Sequence, residues 1–212
     1  MRPTRLVVSL VLFAVSIASS QWLETTIYLP DSFGGMTKPQ CLAYGTVNNT
    51  IYVGGWGGRC VIAIDGETNQ KIARISAGTN VVALCYNPTN NKVYCANNGD
   101  SSVTVIDGAL NAVIGTVATG ANPLALCYNS TNNKVYCANY GDNSLTLIDG
   151  QGDTAIATVE TGSEPYALCY NPRDNKVYCA NRRGNNVTVV DGQTNGVIAT
   201  VAAGDGPWGL CY

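Results

Sequence analysis

The residues with the most chemical potential are four carboxylates and nine thiols, and both sets are spaced with unusual regularity. Asp65, Asp107, Asp149 and Asp191 lie 42 residues apart, each followed by glycine. Carboxylates in a series suit general acid–base work or calcium binding, but an Asp-Gly pair closing a strand also makes a tight turn. One copy per 42-residue unit leaves the four too far apart to share a proton, so the turn is the preferred reading. Asn98-Gly99-Asp100 and Tyr140-Gly141-Asp142 read as turns as well, with weak calcium potential. The chain has no histidine, which excludes Ser-His-Asp and Cys-His catalysis and histidine ligation of haem, copper or non-haem iron. No C-x-x-C pair suggests zinc, and no glycine-rich phosphate loop precedes a helix. No catalytic residue, metal ligand or cofactor is expected, and the chain is expected to be non-enzymatic.

The thiols recur with the same period. Cys85, Cys127, Cys169 and Cys211 are 42 residues apart, and the first three are followed ten residues later by Cys95, Cys137 and Cys179. In the first unit the same two positions hold Ala43 and Val53, while Cys41 and Cys60 belong to neither series. Two readings stand. If Tyr86 faces Tyr94 across a hairpin, Cys85 faces Cys95 and a cross-strand bridge is possible. If residues 88–91 form a four-residue loop closed by Asn87 and Lys92, the thiols point to opposite faces. The asparagines favour the second, with cysteine as a compact apolar filler.

Positioning these groups requires a repeated all-β unit. Within one period, residues 83–86, 92–96, 102–106 and 112–119 are rich in Val, Ile, Thr and Tyr and are bounded by Asn, Asp, Gly or Pro. They have strand character, and none shows helical periodicity. Four antiparallel strands in such a unit make a β-propeller blade, which becomes dry only when neighbours stack on it. The expected fold is therefore a β-propeller of four-stranded antiparallel blades. Its repeats fall at about 39–80, 81–122, 123–164 and 165–206, with a partial one at 207–212. A small insertion at residues 30–36 breaks the register, which leaves 21–38 as a leading segment with a lone outer strand at 25–29. Four whole blades forming an open arc are expected; closure of four blades on themselves is the alternative.

Asn87-Pro88, then Asn91-Lys92-Val93-Tyr94-Cys95-Ala96-Asn97, then Val103-Thr104-Val105-Ile106-Asp107 resembles the YVTN-family β-propeller repeat. The tetrapeptide behind that name becomes Tyr94-Cys95-Ala96-Asn97, Tyr136-Cys137-Ala138-Asn139 and Tyr178-Cys179-Ala180-Asn181. The resemblance runs from about Pro39 to the end of the chain. It implies an exported, seven-bladed ring in a complete protein. Its relatives include lactone hydrolases, quinone-linked oxidoreductases and binders of single-stranded DNA, so it carries fold further than function.

At the amino terminus Arg2 and Arg5 precede the uncharged apolar run 6–18, and Ala18-Ser19-Ser20 offers a small-residue cleavage site. Residues 1–20 read as a signal peptide cut before Gln21. A membrane anchor is the alternative, but the run falls short of the roughly 20 residues of a bilayer span. A secreted, periplasmic or cell-surface protein is expected, with no membrane span in the mature chain. Cleavage removes two of the 12 basic residues and none of the 14 acidic ones, leaving 10 against 14 and a net charge of −4. That balance disfavours a general polyanion ligand.

Function is expected where the repeats differ from one another. Between the second and third strands one position holds Trp56, Asn98, Tyr140 and Arg182 in turn; before the first strand another holds Gln40, Val82, Leu124, Tyr166 and Trp208. In an antiparallel blade both loops emerge on one side, so Trp56, Arg59, Tyr140, Tyr166, Arg182, Arg183 and Trp208 are the candidate binding face. Aromatics with a few arginines suit stacking on sugars or bases and docking of extended peptides. A protein, peptide or glycan partner is expected, single-stranded nucleic acid less so. The plainer reading is that Tyr166 and Trp208 plug a channel mouth and Trp56 caps its blade.

Overall fold

The structure is a computed structural model that describes Met36 and residues 38–212. The expected signal peptide and the lone strand at 25–29 lie outside the described residues. Among the described residues sixteen strands form four separate antiparallel sheets. Blade 1 contains β1 (Lys38–Gly45), β2 (Thr50–Trp56), β3 (Cys60–Asp65) and β4 (Lys71–Ser76). Blade 2 contains β5 (Val81–Asn87), β6 (Lys92–Asn97), β7 (Ser102–Asp107) and β8 (Ala112–Ala118). Blade 3 contains β9 (Pro123–Asn129), β10 (Lys134–Asn139), β11 (Ser144–Asp149) and β12 (Thr154–Glu160). Blade 4 contains β13 (Pro165–Asn171), β14 (Lys176–Asn181), β15 (Asn186–Asp191) and β16 (Val197–Ala202). Each sheet is an up-and-down meander in chain order. Blade 1 packs on 2, 2 on 3 and 3 on 4 through their first strands, in an arc that among the described residues does not close. Among the described residues no helix is long and apolar enough to cross a membrane.

The register follows from the turns. Asn87 pairs with Lys92, Cys85 with Tyr94 and Leu84 with Cys95, so residues 88–91 form the four-residue loop and the two thiols are not opposite each other. All nine cysteines are free. The last loop residue in each blade, Asn49, Asn91, Asn133 or Asn175, takes a positive φ of 48–54°. Asparagine tolerates that region because its short amide bonds locally. The partner across the rim is the glycine of Asp-Gly, as in Gly150 N–H donating to Asn133 O at 2.9 Å. A Cβ on Gly150 would stand 2.5 Å from Asn133 Oδ1, so the approach admits only glycine.

The core lies between blades. Tyr94, Val103, Val105 and Val117 of blade 2 meet Val135, Cys137 and Ile148 of blade 3. Tyr136, Leu145, Leu147 and Val159 of blade 3 meet Val177, Cys179 and Val190 of blade 4 in the same way. Each such side chain contributes about 1.5–3 kcal/mol on burial, so the stack is the main source of stability. Burial also raises the thiols: Cys127 and Cys179 are pushed up to about 12, and Cys85, Cys95 and Cys137 are raised for the same reason. These thiols are fillers, not nucleophiles.

Candidate functional site

Two backbone devices bring the varied residues together. The first is a β-bulge in the opening strand of every blade. Pairing skips Gln40, Val82, Leu124 and Tyr166, whose neighbours on either side stay in register. A bulge leaves its extra residue unpaired and re-aims the side chain. The second is a short backbone ladder beyond the strands. Tyr140 N–H donates to Asn122 O at 3.1 Å and Arg182 N–H to Glu164 O at 2.8 Å, in parallel with Asn98 N–H to Asn80 O at 3.0 Å. The residue after each second strand is thereby held beside the one before the first. Beneath the loops, buried Asn139 donates to Ser144 Oγ (3.0 Å) and Thr146 Oγ1 (2.9 Å), and Asn97 bonds Ser102 and Thr104 likewise.

The result is a cavity of about 370 Å³ lined by Trp56, Asn98, Asn122, Leu124, Tyr140, Tyr166 and Arg182. Residues from all four blades meet there. At its blade-4 edge the rings are ordered: Tyr140 and Tyr166 meet edge to face with centroids 6.5 Å apart, and Tyr166 and Trp208 at 4.9 Å. The Arg182 guanidinium lies 4.5 Å from the Trp208 ring centre and 5.9 Å from that of Tyr166, within cation–π range. Its charge is also met by Glu164 at 3.7 Å. A hydrogen bond with Glu164 raises the half-buried Tyr140 phenol.

Trp56, Tyr140, Tyr166, Arg182 and Trp208 of the expected face thus converge. Arg183 sits just outside, in an adjoining depression with Glu164, Arg182, Asp205, Gly206 and Trp208. Arg59 does not line the cavity; its exposed guanidinium pairs with Asp100 at 3.6 Å. Three lining residues lie outside the face expected from the sequence. Asn98 and Leu124 occupy the two varied positions but were neither aromatic nor charged. Asn122 is the left-handed residue before a first strand, with φ of 53°, and only the backbone ladder brings it to the rim. Asn98 Nδ2 donates to Pro123 O and Asn122 Nδ2 to Asn98 O, both at 3.3 Å, which ties the rims of blades 2 and 3 together.

The lining offers ring faces, two phenol hydroxyls, side-chain amides and one paired cation. Among the described residues, no three of His, Cys, Asp or Glu converge as a metal site. Such a surface stacks on flat or ring-shaped groups and exchanges hydrogen bonds with their edges.

Comparison with known proteins agrees with this architecture. Residues 71–211 match the model of a family described as a YNCE-like beta-propeller. No curated protein matches the sequence. Among solved structures, Kuenenia stuttgartiensis hydrazine synthase superposes with a TM-score of 0.72 at 16% identity, covering 86% of this chain and 52% of that one. The present chain therefore spans about half the length of that chain, and at such identity the likeness is one of fold.

Proposed function

Because the chain belongs to the YNCE-like β-propeller family, a fold that hosts many activities, we propose from its site that it is a binding or scaffold module and not an enzyme. The observation that supports this most is the convergence of Trp56, Tyr140, Tyr166 and Arg182, drawn from three blades, on one cavity. Its ligand is an uncharged or weakly charged protein segment, peptide or glycan. Single-stranded nucleic acid fits less well, since Arg182 and Arg59 are each beside a carboxylate and phosphate binding depends on free cations. The amino-terminal pattern supports work outside the cytoplasm, on the cell surface or in a periplasm. Export would be seen as a mature chain beginning at Gln21.

The test is a binding screen of the chain against glycan, peptide and single-stranded DNA arrays. Tyr166→Ala and Trp208→Ala are expected to weaken the detected binding about tenfold each, the effect of losing one stacking surface. Binding that both variants leave unchanged removes this site from the account. Turnover that disappears on changing one carboxylate makes the protein an enzyme instead.

A further inference from the structure

A polar latch joins successive blades. Tyr52 donates its hydroxyl to Asn111 Oδ1 at 2.9 Å and to Gly108 O at 3.3 Å. Tyr94 does the same to Asp153 Oδ1 at 2.7 Å and Gly150 O at 3.3 Å, and Lys92 Nζ reaches Asp153 Oδ2 at 2.7 Å. The receiver is an Asp-Gly-x-x-Asx turn between the third and fourth strands of the following blade. Between blades 3 and 4 the latch is incomplete. Lys134 Nζ reaches Asn195 Oδ1 at 2.7 Å and Gly192 O at 3.0 Å, so both acceptors of this cation are uncharged. Tyr136, the counterpart of Tyr94 one repeat on, is fully buried and its hydroxyl has no partner. A carboxylate in place of the Asn195 amide would serve both groups, as Asp153 does one blade earlier.

The sequence supplies a route to that carboxylate at the same turn. Its Asx residue is followed by Gln70 in blade 1, Ala112 in blade 2 and Thr154 in blade 3, but by Gly196 in blade 4. In an Asn-Gly pair no Cβ on the glycine hinders its nitrogen from reaching the asparagine side-chain carbonyl. The surroundings of Asn195 favour that attack. Gly196 N–H is held only by a long bond to Thr194 Oγ1 at 3.3 Å, and both residues are half-buried, within reach of water. The Lys134 ammonium already sits on Asn195 Oδ1, where negative charge develops as the nitrogen adds. Asn98-Gly99 is the chain's other such pair, and it is tied down. Gly99 N–H donates to Thr79 O at 3.1 Å and Asn98 Nδ2 to Pro123 O at 3.3 Å.

We propose that Asn195 is a self-modification site, which deamidates to aspartate with water as the sole co-reactant and thereby completes the latch between blades 3 and 4. Gly196 N bonds to Asn195 Cγ, the Cγ–Nδ2 bond breaks, and ammonia leaves a succinimide. Water then adds its oxygen to Cγ and returns a proton to Gly196 N as the ring opens. Opening at the other carbonyl gives isoaspartate, which puts an extra carbon into the backbone of a turn closed by Asp191 N–H to Gly196 O at 2.9 Å. Because the ring can re-form, the product that Lys134 and Tyr136 bind is the one that accumulates.

The test is to age the full chain in heavy-oxygen water at mildly alkaline pH and map its peptides by mass spectrometry. In the folded chain the label is expected to enter at Asn195 about tenfold faster than at Asn98, the gain from one charged donor on the reacting oxygen; in urea the two rates are expected to converge. Gly196→Ala is expected to stop the labelling and keep the fold, since the new Cβ meets nothing nearer than Thr194 Oγ1 at 3.4 Å. Asn195→Asp is expected to raise the urea midpoint, and Tyr136→Phe to cancel part of that rise. Labelling at Asn195 no faster than at Asn98 overturns the proposal. So does a product that is mainly isoaspartate, or an Asn195→Asp chain no more stable than the unmodified one.

Discussion

The two rims of the arc are made of the same kind of short loop, yet one repeats itself from blade to blade and the other does not. On the Asp-Gly rim the side chains themselves are the joints. Asn87 Nδ2 donates to Asn133 Oδ1 at 2.7 Å in the next blade, and Asn129 Nδ2 to Asn175 Oδ1 at 2.8 Å. Asp65 and Asp191 each accept backbone N–H bonds from their own turns, at 2.7 Å from Thr68 and Thr194, and these bonds lower both carboxyls. On the opposite rim the backbone makes the joints, as in Tyr140 N–H to Asn122 O. Side chains there carry less of the fold, with Asn98 and Asn122 linking blades 2 and 3, so the position of Trp56, Asn98, Tyr140 and Arg182 can differ while the strands stay fixed. Repetition marks where side chains hold blades together; variation marks where they are available to something else.

The largest expected effect tests the interior that both rims enclose. In the folded chain Cys127 and Cys179 keep their protons to about 12, against 9.0 ordinarily, so above pH 9 the unfolded chain releases protons that the folded one retains. Stability is then flat between about pH 5 and 8 and falls between 9 and 12, by at most about 1.4 kcal/mol per pH unit for each such thiol and by less for half-buried Cys127. Urea midpoints measured from pH 7 to 11 follow this. A flat profile would mean that the thiols are wet and the blades loosely stacked.

Next in size is Asn133→Ala on the repeated rim. It places alanine at a φ of 50° and leaves the amide of fully buried Asn87 without its acceptor. The expected cost is about 2–4 kcal/mol, from backbone strain and an unsatisfied polar group. Tyr94→Phe follows, at about 1–3 kcal/mol, because it strips the latch to Asp153. Tyr136→Phe is its control. The Tyr136 hydroxyl is buried without a partner, so its loss is expected to change stability by less than about 0.5 kcal/mol. Equal costs for the two tyrosines would show that the latch is not what joins the blades.

Much of this was legible in the chain. The 42-residue period and the four apolar runs predict the blades, and the turn-forming residues 87–91, Asn-Pro-Thr-Asn-Asn, predict a hairpin in which Cys85 and Cys95 miss each other. That inference works because strand pairing within a blade is local. The bulges at Val82, Leu124 and Tyr166 were not legible, since a one-residue slip leaves no mark on composition. Nor does the sequence show that Arg59, in the same set of loops, turns its charge to Asp100 and stays outside the cavity lining. The latch from Lys92 and Tyr94 to Asp153 spans about 60 residues and two blades, and a sequence gives no distance between sheets. The roles of Asn98 and Asn122 were hidden in the same way, because their place at the cavity depends on backbone bonds.

The smallest expected effect is the one that distinguishes the rims most sharply. Trp56 is 38% exposed and closes the blade-1 side of the cavity, while its backbone ends a strand that pairs with or without the ring. Trp56→Ala is therefore expected to cost less than about 1 kcal/mol, well under the cost of Asn133→Ala, since a partly exposed ring gives up only part of its burial. Thermal unfolding of the two variants side by side measures the difference. If Trp56→Ala destabilises as much as Asn133→Ala, the varied rim is a structural plug, its aromatics are committed to the fold, and the cavity loses its claim as a ligand seat.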